Sequence, residues 1–98
     1  MNFEEIINAK QPTLIDFFAT WCGPCKAMTP ILQETKKALG DKVQIIKIDV
    51  DKNPSLASKL QVQGVPTFVL YKAGKMLWRR SGMIPKPELV RLIEEASK

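Results

Sequence analysis

Two segments of this sequence are too apolar to lie on a surface, and they set what the chain can fold into. Residues 13–20, TLIDFFAT, and 43–50, VQIIKIDV, are rich in β-branched and aromatic side chains. Neither alternates cleanly between apolar and polar, so each reads as a strand buried on both faces, as in the middle of a parallel sheet. Between them Met28, Ile31, Leu32, Thr35 and Leu39 recur at helical spacing, and Gly40 sits where a C-cap glycine belongs. Strand, helix, strand is a βαβ unit, whose crossover is right-handed. Pro30 inside the helix predicts a kink.

The flanking segments complete an α/β pattern. Asn2 reads as an N-cap with Glu5 three residues on, and Phe3, Ile6 and Ile7 share a helical face. Asn53 as cap and Pro54 at the first helical position open another helix, with Leu56, Ala57 and Leu60 inward. TFVLY and KMLWRRS flank Ala73-Gly74 as a β-hairpin, where Trp78 reads as packing. Pro87 opens a last helix with Leu89, Leu92, Ile93 and Ala96 in one stripe. No repeat or linker interrupts the pattern, which predicts one domain over residues 1–98, with a parallel strand pair, an antiparallel hairpin and helices on both faces. A chain of this length buries a little over ~60% of its unfolded surface, enough to fold without a disulfide staple or structural metal.

Composition removes several function classes. The net charge of +5 is scattered, with short runs only at Lys36-Lys37 and Arg79-Arg80 and no aromatic interleaving, so a nucleic-acid groove is not expected. No apolar stretch approaches the ~20 residues that span a bilayer. MNFEEIINAK lacks the basic and apolar regions of a signal peptide, which predicts a cytoplasmic protein unless an export signal was removed upstream. No heptad or extended apolar face argues against a monomer.

The chemistry lies in WCGPCK, which holds both cysteines, Cys22 and Cys25, of a chain without histidine. C-x-x-C in a cytosolic chain points to redox chemistry or metal binding. Zinc needs four ligands, and this motif offers two unless a dimer shares one ion. The motif follows the first strand and opens a helix, the edge of an open α/β sheet where chemistry concentrates. Unpaired N–H groups and the helix dipole there favour a thiolate on Cys22, while Lys26 reads as solvated. Cys25, three positions on, is spaced to form a disulfide with Cys22, and Gly23 and Pro24 preorganise the pair. The inferred reaction is thiol–disulfide exchange: Cys22 attacks a substrate disulfide and Cys25 resolves the mixed disulfide.

Asp16 interrupts the first apolar run, where a carboxylate is costly to bury. It reads either as a structural aspartate paired in the core or as the proton acceptor for Cys25, its pKa raised by burial, and its place on the strand leading to Cys22 favours the second. Lys47 interrupts the second run; its stem reads as snorkelling to solvent, with a pairing to Asp16 secondary. In QGVPTF, Pro66 begins a strand, with trans as the default for its peptide bond.

Asp16, WCGPCK, Pro30, GVPT and Gly82, in this order and spacing, resemble the thioredoxin family from about Thr13 to the C-terminus. The resemblance implies a three-layer α/β/α sandwich with a mixed, four-stranded sheet ordered 43–50, 13–20, 67–72, 75–81. It implies a protein disulfide reductase with Cys22 exposed, Cys25 buried, Asp16 beneath Cys25 and Lys47 close by. Pro66 would be a cis-proline opposite the disulfide, and Val65 would offer its backbone to an extended substrate. Trp21, Gly64 and Gly82 would form a flat docking surface. Partners would be disulfide-containing proteins and a thioredoxin reductase fed by NADPH, with no cofactor bound. Gly-Pro between the cysteines matches reducing members rather than a disulfide isomerase or oxidase on the same fold; a non-catalytic binding module is the other alternative. Three departures stand out. About twelve residues precede the central strand and read as helix where the family opens with a strand, leaving 43–50 at a sheet edge. Phe18 stands where many members have Trp, and the charge is basic.

Overall fold

The computed structural model describes residues 2–98. Four strands, β1 (Thr13–Phe18), β2 (Gln44–Asp49), β3 (Thr67–Lys72) and β4 (Lys75–Ser81), form one sheet ordered β2-β1-β3-β4. β1 and β2 run parallel, and the other two pairings are antiparallel. The helices are α1 (Phe3–Ile7), α2 (Gly23–Leu39), α3 (Pro54–Lys59) and α4 (Lys86–Ala96), with a 3-10 turn at Gly40–Lys42.

The sheet separates two apolar layers because side chains alternate across a strand. Leu14, Phe68 and Leu70 pack under α2 and α4 with Met28, Leu32, Leu39, Leu89 and Ile93. Ile15, Phe17, Val69 and Tyr71 face the other way, against Phe3, Ile6 and Ile7 of α1 and Leu56 of α3 together with Leu60 just beyond it. The result is the expected three-layer α/β/α arrangement, in the expected strand order. α1 is held by its cap, with Asn2 Oδ1 accepting from Glu5 N at 3.1 Å, and by the Phe3 ring, edge-on to Tyr71 at 5.7 Å.

Several expectations need correction. β1 stops at Phe18 because Cys22 N donates to Ala19 O at 3.2 Å, turning the chain before Thr20 can extend the ladder. β2 is not buried on both faces. At the edge of the sheet, Ile48 is buried, Ile45 and Ile46 are half-buried and Lys47 is exposed. Asn53 occupies the N-cap position of α3 without capping it; its side chain donates back to Asp49 O at 3.0 Å and closes the β2–α3 turn instead. Pro30 does lie inside α2, as expected, on the exposed side of the helix.

Candidate active site

The site is built where β1 hands over to α2. Cys22 is the N-cap of α2, with extended backbone (φ −87°, ψ 112°), and its sulfur accepts from Cys25 N at 3.1 Å. A capping sulfur takes up one of the N–H groups that a helix start leaves unpaired. Pro24 lies in the first turn of α2, where its missing N–H costs nothing. Cys22 and Cys25 are joined in a disulfide, with Cα atoms 5.3 Å apart. The two cysteines are equally hidden, 3% and 4% exposed, so the contrast between an exposed and a buried thiol is not present in the oxidised pair. The reason is the β3 approach: the Cys22 sulfur lies 3.7 Å from Val65 O, under the loop that precedes β3.

That loop carries a cis peptide bond between Val65 and Pro66. Thr67 Oγ1 donates to Gly64 O at 2.5 Å and lies 3.1 Å from Ser81 Oγ. Gly82 N donates to Pro66 O at 2.8 Å. Gly82 has φ +95°, which an L side chain resists, so glycine here is a backbone requirement. At Gly64, by contrast, a Cβ would meet nothing within 4 Å, so neither packing nor backbone conformation demands a glycine at this exposed position. Trp21 stands 70% exposed next to Cys22 and is fixed by Nε1 donating to Asp51 Oδ2 at 3.0 Å. Met83, half exposed, follows Gly82.

Asp16 lies beneath the start of α2. On one face of β1 it stands between Leu14, which packs with Met28, and Phe18, which packs with Cys22 and Cys25. It is 1% exposed, and neither carboxylate oxygen has a hydrogen-bond partner among the described residues. Burial raises its pKa from 3.8 to about 6, with the positive charge of Lys47 acting in the opposite direction. Lys47 is level with Asp16 across the β1–β2 pair. Its ammonium group lies over the Phe18 ring, 4.8 Å from the centroid, in keeping with a solvent-reaching stem. Phe18, Ala19, Thr20, Cys25, Lys26, Thr29 and Lys47 line a small groove on the Cys25 side.

The structure thus gathers Trp21, Cys22, Gly23, Pro24, Cys25, Gly64, Val65, Pro66 and Gly82 around one disulfide, with Asp16 and Lys47 behind it. Sequence reasoning missed Asp51, Thr67 and Met83. Asp51 lies thirty residues from Trp21 and carries no motif; only its place in the turn after a strand hinted at a role.

Comparison with known proteins agrees with this geometry. Residues 1–95 match the family model described as Thioredoxin. The chain is 46% identical over 96 residues to chloroplastic thioredoxin Y of Oryza sativa subsp. japonica, covering 97% of this chain and 57% of that protein. It is 42% identical over 91 residues to the thioredoxin of Rhodospirillum rubrum, covering 93% and 88%. It superposes on oxidised mitochondrial thioredoxin 3 of Saccharomyces cerevisiae with a TM-score of 0.85, at 39% identity and with 95% and 86% covered. The chain spans less than two thirds of the length of the chloroplastic thioredoxin Y relatives. From its sequence match and its fold, the chain belongs to the thioredoxin family.

Proposed function

We propose that this protein is a thioredoxin-type protein-disulfide reductase. The observation that carries the reading is the Cys22–Cys25 pair on the first turn of α2, with the Cys22 sulfur accepting an N–H of that turn. The same N–H and the helix dipole stabilise a Cys22 thiolate once the pair is reduced. In the forward reaction that thiolate attacks one sulfur of a substrate disulfide, and the substrate S–S bond breaks as a mixed disulfide forms. The Asp16 carboxylate takes the proton of Cys25, and the Cys25 thiolate attacks the Cys22 sulfur. The substrate's second thiolate leaves, and two electrons have passed to the substrate.

Trp21, Gly64, Val65, Pro66 and Gly82 form the docking surface, with the Val65 backbone offered to an extended substrate segment. Lys47 supports the site through Phe18. The reading implies no bound cofactor. The dithiol is regenerated by NADPH through a thioredoxin reductase, and the protein works in a reducing compartment such as the cytoplasm. Relatives named as chloroplastic work in an organelle instead. No described helix is long and apolar enough to cross a membrane.

Insulin reduction with dithiothreitol as donor tests the reading. The wild type should precipitate insulin faster than the donor alone. Cys22→Ser should abolish the acceleration, and Cys25→Ser should accumulate a mixed disulfide with the substrate. A wild type no faster than dithiothreitol alone would favour a non-catalytic binding module. NADPH consumption with an added thioredoxin reductase tests the electron donor separately.

A further inference from the structure

β2 carries backbone groups that nothing in the described chain uses. Gln44 N donates to Pro12 O and Val50 N to Phe18 O, so the even-numbered residues of this strand face β1. The odd-numbered ones face outward. At one end, Val43 O is taken by Lys36 Nζ at 2.8 Å. At the other, Asp49 O is taken by Asn53 N and Nδ2, each at 3.0 Å. Between these stoppers the N–H and C=O of Ile45 and of Lys47 remain free among the described residues, as does Asp49 N. The strand is regular over all six residues of its pairing with β1. A groove lined by Thr29, Leu32, Gln33 and Lys36 of α2 opens beside Ile45 and Lys47. The opposite edge is less regular: the pairing of β4 with β3 slips between Leu70 and Tyr71, and β4 exposes Lys75, Arg79 and Arg80 beside Met76 and Leu77.

We propose that the free edge of β2 pairs with the β2 of a second copy of this chain, antiparallel about a two-fold axis. The groups left free select the register. With Ile45 opposite Lys47 of the second copy, and Lys47 opposite its Ile45, all four free groups of those two residues on each copy are satisfied. The axis then passes through Ile46 facing its own copy, an apolar pair at a position where opposed side chains come closest. A shift to Lys47 against Lys47 sets like charges face to face, which disfavours it. A further shift, Lys47 against Asp49, needs the Asp49 carbonyl that Asn53 already holds. Because Lys47 leans toward Phe18, level with Asp49, the two ammonium groups diverge across the axis. The pairing covers little surface, so the dimer is weak and concentration-dependent.

Sedimentation velocity of the wild type under reducing conditions, across a concentration series, should show a reversible rise in mean mass toward that of a dimer. Lys47→Pro removes an outward N–H without touching the β1 ladder and should abolish the rise, whereas Lys47→Gln, which keeps that N–H, should retain it. Register is read by cross-linking in a Cys22→Ser, Cys25→Ser background. Across the proposed axis opposed Cα atoms lie about 4.5 Å apart, within disulfide reach. On oxidation Ile46→Cys should therefore give a covalent dimer in high yield and Lys47→Cys should not. A wild type that stays monomeric throughout the series overturns the proposal, as does cross-linking at residue 47 rather than 46.

Discussion

Asp16 is the residue whose chemistry and stability pull in opposite directions. An ionised carboxylate at 1% exposure with no hydrogen-bond partner is a cost of the folded state. Its pKa is about 6 folded against 3.8 as the ordinary value. The folded state therefore binds more protons than the unfolded state between these two values, and stability falls as pH rises through that window. Below it the cost is absent; above it the cost is constant, on the order of 3 kcal/mol from the size of the shift. Asp16→Asn should thus be more stable than wild type at pH 7, by about 1–3 kcal/mol, with the gain gone by pH 4. Urea unfolding at the two pH values reads this directly, and equal gains at both would contradict it. The same variant should slow insulin reduction and lose the inflection near pH 6 from its pH–rate profile. Asp16 was legible because a lone acid in an apolar strand stands out. The Asp51 clamp on Trp21 was not, because an aspartate in a turn has many equivalent uses.

At the scale of the elements, apolar patterning together with turn and cap residues located all four helices and all four strands: helical spacing and caps for the helices, continuous apolar runs for β1 and β2, and the Ala73-Gly74 turn for β3 and β4. It failed where side chains reach across sequence to backbone. Arg79 donates to the carbonyls of Leu60 and Gln61 beyond α3, Lys36 to Gly40 and Val43, and Lys72 to Ala96. None of these ties has a period, so each lysine and arginine read as surface charge. The cis Val65–Pro66 bond was implied only by resemblance, because local sequence favours trans. α1, one and a half turns long, is too short to hold itself and depends on its packing over the sheet. Phe3→Ala should lower stability by roughly 1–2 kcal/mol, through lost burial and the edge-on contact with Tyr71, and thermal unfolding would show it. At the far end of β4, Gly82→Ala forces a side chain into φ +95° next to the Pro66 loop. It should cost about 1–2 kcal/mol and raise KM for protein substrates more than it lowers kcat.

For the whole molecule, the net charge of +5 is a statement about encounter rather than fold. Reduction of an acidic disulfide protein should slow as salt rises from 10 to about 300 mM, because screening shortens the reach of the charge. Reduction of a small neutral disulfide should change little over the same range; equal salt dependence would place the effect on the chemistry instead. The layered sheet, the proposed docking surface and the buried acid converge on one dithiol, and the central claim is that this dithiol is a reductant. Its reduction potential, measured by equilibrating Cys22–Cys25 against a glutathione or dithiothreitol series, tests that claim most directly. A reductant of this family should give a value of about −270 mV. A value at or above about −180 mV, in the range of disulfide isomerases and oxidants, would contradict it.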